Sequence, residues 1–246
     1  MSDVANSAGK FGPYPVPSRA AAGRGTATAR LPVRPQTGAE LIRSRIALQV
    51  RLSELSPGDR LPDAGAIADE HGMSEMTVRR ALETMCQDGL LDRRRGRVGG
   101  TFVAADWAAV AAACRDEEQA AVLADFHLLL ECGLVARSAD ELPPGWDADL
   151  RGAVDEMAVS DDPGELLRLE THFHLRLSEV LGEGVAAGQV ADILGQLSLL
   201  APEPSAVELR DRNRCHADLL SALTLGRLDA AVAAVKAHRL GRPGRP

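Results

Sequence analysis

A chain of 246 residues has room for two domains of ordinary size, each with its own core. Apolar residues make up 45% and aromatic ones only 3%, a balance led by Ala and Leu that favours helix and argues against an aromatic-rich sandwich or barrel. The formal charge of −7 is unevenly spread: residues 1–105 carry 15 Lys and Arg against 11 Asp and Glu, and residues 106–246 carry 13 against 24, so a basic half suited to a polyanion joins an acidic half with another task.

Residues 1–36 are rich in Ala, Gly, Pro, Ser and Arg without periodicity and read as a disordered tail. A first helix is expected from Thr37, an N-cap candidate, to Leu52, with Leu41, Ile42, Ile46 and Val50 on its apolar face. Ser56-Pro57-Gly58-Asp59 is a turn signal. A short helix from Asp63 to His71 is closed by Gly72, and a third helix runs from Ser74 to near Gly89. Leu90-Leu91 and Thr101-Phe102-Val103 read as a two-stranded ribbon around a loop of arginines and glycines. From Ala105 onward the pattern is helical, with helices expected near 107–115, 117–138, 147–158, 163–182, 185–200, 204–225 and 227–239, and a short tail at 242–246.

Helix, short helix, tight turn, helix and ribbon, over residues 37–104, make a winged helix-turn-helix. Ser74 can cap the third helix, whose apolar residues Val78, Leu82 and Met85 face inward, leaving Thr77, Arg79 and Arg80 on the outer face within reach of a major groove. The wing loop from Arg93 to Gly100 holds four arginines, Arg93, Arg94, Arg95 and Arg97, and three glycines, of which Gly96 lies among the arginines. Arginine brings forked donors to phosphates and guanine edges, and glycine lets the backbone come close.

The stretch LSPGDRLPDAGAIADEHGMSEMTVRRALETMCQDGLLDRRRGRVGGTFV closely resembles the DNA-binding domain of GntR regulators. The resemblance implies that Ser74, Thr77 and Arg79 contact DNA from the recognition helix, and that Arg95 and Gly96 do so from the wing. Two positions depart from it: Gly65 and Glu75 stand where family members usually carry arginine. Two cations are lost and an anion gained at a phosphate-facing surface, so the operator is expected to differ from the common half-site of the family.

In the helical half, residues 105–241, four polar residues occupy apolar stripes. Glu170 and His174 are one turn apart on a stripe of Leu167, Leu177 and Leu181; His216 falls among Leu209, Leu220 and Leu223; His238 follows Leu228 and Val235. Burying a carboxylate and three imidazoles without partners costs several kcal/mol. A divalent metal bound by Glu170, His174, His216 and His238 would satisfy all four. This donor set suits zinc, with nickel or manganese as alternatives. On the residues alone, hydrogen-bonded core histidines remain the other reading. The segments Glu170-Thr171-His172-Phe173-His174 and Cys215-His216-Ala217-Asp218-Leu219-Leu220, with His238 following His216 by 22 residues, resemble the FCD type of effector domain found in the FadR subfamily of GntR regulators. That resemblance implies a metal held by these four residues beside a carboxylate-bearing effector. Glu170 replaces the usual Asp, Glu183 stands at the usual Asn, and His127 stands where the first effector helix usually has Arg; His127 is a candidate effector-binding residue. His172 lies off the stripe and is expected in solvent, and Cys215 is expected to pack.

The four cysteines form no CxxC pair and read as small core side chains in a reducing compartment. No uninterrupted apolar run approaches the ~18 residues of a membrane span, and the N-terminus lacks a signal-peptide core. The expectation is a cytoplasmic, mostly α homodimer, with an N-terminal winged helix-turn-helix followed by an all-α antiparallel bundle. It binds a pseudo-palindromic double-stranded operator and a small-molecule effector, and acts as a repressor rather than an enzyme. A metal-responsive or structurally metallated regulator without an organic effector is the alternative. A zinc hydrolase is less favoured because the sequence has no HExxH motif.

Overall fold

The computed structural model describes residues 36–96, 99–138, 142 and 144–238, apart from the side chains of Glu183 and Val185. The two expected tails, apart from Gln36, lie outside these residues, as does Arg97.

The described chain is helical with a small two-stranded sheet. Helix α1 (Gly38–Arg51) opens with a capping box: the Thr37 hydroxyl accepts from the Glu40 N–H, and the Glu40 carboxylate accepts from the Thr37 N–H at 2.8 Å. Helix α2 (Ala64–His71) is capped by Asp63 and stopped by Gly72, whose φ of 63° is the left-handed conformation that ends a helix. Helix α3 (Glu75–Gln87) is capped by Ser74. Strands β1 (Leu91–Arg94) and β2 (Gly100–Val103) pair antiparallel, Leu91 opposite Val103 and Arg94 opposite Gly100, with Arg60 bridging to Phe102 on the outer edge. The first strand runs further into the arginines than the apolar pair Leu90-Leu91 suggests, because the ladder is closed by main-chain bonds that any residue supplies. Ile42, Ile46, Ile67, Val78, Leu82, Met85, Leu90 and Val103 form one core under these elements.

Helices α4 (Trp107–Ala113), α5 (Glu117–Arg137), α6 (Ala148–Val159), α7 (Pro163–Leu200), α8 (Ala206–Thr224) and α9 (Leu228–Ala237) build the bundle. Helix α7 lies at its centre, packed by α5, α6 and α8. Two of the expected helices, 163–182 and 185–200, are one 38-residue helix. The Gly182-Glu183-Gly184 sequence reads as a stop, yet Gly182 is buried where a Cβ would lie 2.8 Å from Leu134 Cδ2. This glycine allows α5 to approach, and burial of Val190, Ile193, Leu194 and Leu197 beyond it offsets the helical cost of glycine, about 1 kcal/mol relative to Ala. By length and composition α5 could cross a membrane; here it packs against α7 and α9.

The two halves share a face. Helix α1 packs along α7, and Gly195 is the point of closest approach: a Cβ there would collide with the Ser44 carbonyl. An Arg45–Asp192 ion pair at 2.7 Å flanks the contact, and Leu199 of α7 joins the core of the DNA-reading half.

Candidate functional site

Glu170 and His174, adjacent turns of α7, meet His216 of α8 and His238. His238 was expected inside the last helix but is the residue that caps it. The α8–α9 hairpin, turned at Gly226 with φ of 65°, carries it back onto α7. All four residues are at most 5% exposed. The Nε2 atoms of His174, His216 and His238 lie 3.7, 3.5 and 3.1 Å from oxygens of Glu170, and one donor atom from each residue falls within 4.8 Å of every other. These three nitrogens and Glu170 Oε2 have no hydrogen-bond partner among the described residues.

That pattern tests the metal reading against hydrogen-bonded core histidines. Core histidines should find acceptors, and each buried orphan costs about 1–3 kcal/mol. Donors bound at 2.0–2.2 Å around a tetrahedral ion stand roughly 3.4 Å apart, close to the 3.1–3.7 Å between the imidazole Nε2 atoms and Glu170. The four residues therefore fit a divalent cation, and the chemistry of the set, three neutral imidazoles and a carboxylate, fits zinc, nickel or manganese.

Glu131 was missed by sequence reasoning. It is one turn from His127 on α5, and both are buried. Its Oε1 lies 2.6 Å from His174 Nδ1 and 3.6 Å from His127 Nε2. A carboxylate on Nδ1 fixes the His174 ring so that Nε2 faces the other donors, the usual support of a metal-binding histidine. The i, i+4 pair His127/Glu131 on an apolar helix was the signal available. Phe173 stacks on His216 at 3.8 Å, and His216 on His238 at 4.6 Å, fixing those rings as well.

Burial would raise the Glu131 carboxyl, but His127 and His174 draw it down to about 2. Burial would lower His174, but Glu131 and Glu170 raise it to about 10. Burial pushes His127 down to about 4 and His216 well below the usual imidazole range. Burial likewise opposes ionisation of Glu170, yet His238 and His216 hold it well below the usual carboxyl range.

A small pocket, open to solvent and with a cavity volume of about 40 Å3, lies beside Glu170 and His174. Arg212 of α8 lines it, with Nη1 3.3 Å from Glu170 Oε1, and Arg51 of α1 lines it from the other half. His127 does not line this pocket; it stands behind His174, on Glu131. His172 is partly exposed, 3.6 Å from Asp149, and Cys215 is half-buried.

At the other end of the chain, the Ser74 hydroxyl accepts from the Thr77 N–H at 3.2 Å and pairs with the Thr77 hydroxyl at 2.8 Å. Arg79 and Arg80 are exposed on the outer face of α3. Arg79 is held along its own helix by Glu75, with Nη2 at 2.5 Å and Nε at 3.1 Å from one carboxylate oxygen. In the wing, Arg94 lies over the Phe102 ring at 4.3 Å, Arg95 is exposed, and Gly96 turns the chain with φ of 103°.

Residues 39–103 match the family described as bacterial regulatory proteins, gntR family, and residues 122–240 match the FCD domain. The HTH-type transcriptional repressor NagR of Bacillus subtilis is 42% identical over 62 residues, 25% of this chain and 25% of that protein. The HTH-type transcriptional regulator LutR of the same organism is 27% identical over 137 residues, 53% of this chain and 62% of that protein. A solved structure, E. coli McbR/YncC, is 17% identical, covers 82% of this chain and 93% of its own, and superposes with a TM-score of 0.49. The chain spans about a quarter of the length of the curated relatives that match its N-terminal segment.

Proposed function

The chain belongs to the GntR family of bacterial regulators and carries an FCD domain, and from that premise we propose that it is a metal-dependent, effector-controlled DNA-binding repressor. Ser74, Thr77, Arg79 and Arg80 read the major groove from α3, and Arg94, Arg95, Gly96 and Arg97 hold the duplex from the wing. The helical half forms a homodimer that sets two recognition helices about 34 Å apart, one turn of a pseudo-palindromic operator. Repression is the mode proposed because the repressor NagR shares the DNA-reading segment.

One observation carries the metal part of this reading: the buried Nε2 atoms of His174, His216 and His238 converge on Glu170 without making a hydrogen bond. These four residues would hold a divalent ion, zinc being proposed. When bound, the ion supplies a cationic anchor for a carboxylate. The chain's own residues do the rest. Glu131 orients His174, and Arg212 offers a cation at the pocket wall. An effector seated there shifts the population between dimer geometries that fit or misfit the operator. A zinc hydrolase is not proposed: Glu131, the extra buried carboxylate of the cluster, is engaged by His174.

A metal-responsive regulator without an organic effector is the second reading, favoured by the near-complete burial of the four donors. Chelated protein titrated with zinc distinguishes the two, with melting temperature and operator affinity followed separately. The proposal expects zinc to raise the melting temperature and a carboxylate then to change operator affinity. Operator affinity that follows zinc alone would favour the second reading. No binding of any divalent metal would sink both.

A further inference from the structure

Arg51 is the last residue of α1, the helix that opens the DNA-reading half, yet its side chain lines the pocket beside the candidate metal centre. Its Nη2 donates to the Ser198 carbonyl at 3.3 Å. Among the described residues, no carboxylate reaches ion-pair distance of this guanidinium, whereas Arg212 across the pocket rests on Glu170. Burial pushes Arg51 below the usual arginine value, against the pull of Glu203 and Glu170. An arginine stays charged even so, and a half-buried cation without a counter-ion is costly. Two guanidiniums facing one pocket form a receptor for an anion, and forked donors match a carboxylate.

We infer that Arg51 binds the carboxylate of a small organic effector seated between Arg51, Arg212 and the Glu170/His174 edge of the metal centre, so that the ligand ties the DNA-reading half to the helical half. The inference rests on the reading of this pocket as an effector site.

Helix α1 is placed to pass the signal on. Along one side it is fitted to α7 at Ser44/Gly195 and Arg45/Asp192. At its other end, a Cβ on Gly38 would lie 2.7 Å from Thr77 Cγ2, so the start of α1 abuts the first turn of the recognition helix. A ligand that pulls on Arg51 therefore biases the seating of α1 on α7, and with it the position of Thr77. Coupling of this kind needs only that the ligand bind one seating better than the other.

The test uses the zinc-loaded full chain and four probes: acetate, lactate, succinate and citrate. Binding is followed by calorimetry, and affinity for a duplex selected from a random pool is followed by anisotropy. The inference expects at least one probe to bind the wild type. Arg51→Met should bind it about tenfold or more weakly at unchanged zinc content, as expected for loss of a charged hydrogen bond. Arg51→Lys should restore part of the binding, and the effect of the probe on duplex affinity should shrink in Arg51→Met. Equal binding by wild type and Arg51→Met overturns the inference and leaves the effector reading standing. Loss of zinc from Arg51→Met together with loss of probe binding also overturns it, because Arg51 would then act through the metal centre. If no probe binds the wild type, the effector reading falls and takes the inference with it.

Discussion

At the scale of single residues, the helical half turns on which polar groups lack a partner. Glu170, His174, His216 and His238 were legible because each interrupts a leucine stripe, and a buried imidazole there needs a reason. Glu131 carried a weaker mark: it stands one turn from His127 on an apolar helix, where one carboxylate can equally well face solvent. The 2.6 Å contact with His174 singles it out. Two outcomes follow for metal content. His216→Ala should lose stoichiometric zinc on gel filtration. Glu131→Gln should keep zinc but bind it about 10–100-fold more weakly in a competition titration with a chromophoric chelator, the usual cost of removing the partner of a metal-binding histidine. Unchanged affinity would make Glu131 a passive core residue.

The same scale decides the recognition helix. Glu75 was expected to change the operator by adding an anion, and its position is more specific than that: it engages the Arg79 guanidinium along the helix. Both side chains are exposed, so the pair itself is worth little in stability, but a base or phosphate must compete with Glu75 for Arg79. Arg79→Ala should abolish operator binding while the oligomeric state persists. Glu75→Ala should raise operator affinity and steepen its dependence on salt, read from anisotropy over a range of salt concentrations. Weaker binding by Glu75→Ala would mean that Glu75 holds Arg79 in its working position.

At the scale of elements, the helix-turn-helix and its wing were legible because caps, turn glycines and apolar spacing agree. Ser74, Gly72 and the Val78/Leu82/Met85 face each do what their residue type suggests. Helix α7 was misread because glycine has two uses, and the sequence does not say which applies. Gly182 allows close packing, Gly184 has open space around the site of a Cβ, and Gly195 lies against the Ser44 carbonyl. Gly184 and Gly195 should therefore respond differently to alanine. Gly184→Ala should be neutral or stabilise by about 0.5–1 kcal/mol. Gly195→Ala should destabilise by about 1–3 kcal/mol, because the backbone of α1 must move. Urea denaturation measures both. Equal effects would mean that α1 does not seat on α7 as described.

At the scale of the whole molecule, the charge split between halves foretold two tasks, but it could not foretell that the halves share a face. The contact of α1 with α7 buries Leu48 against Val190, Ala191 and Leu194 and closes at a glycine and a serine carbonyl, and hydrophobic spacing does not say which helix an apolar residue meets. The shared face gives the proposed regulation a physical route: metal donors on α7, an arginine of α1 at the same pocket, and Gly38 of α1 against Thr77 of the recognition helix. The most direct test is one anisotropy titration. A duplex recovered from a random pool is held with the zinc-loaded chain while a bound carboxylate is added, alongside His216→Ala as the metal-deficient control. The account predicts that duplex affinity changes with carboxylate for the wild type and not for His216→Ala. The same carboxylate response in both proteins would contradict it.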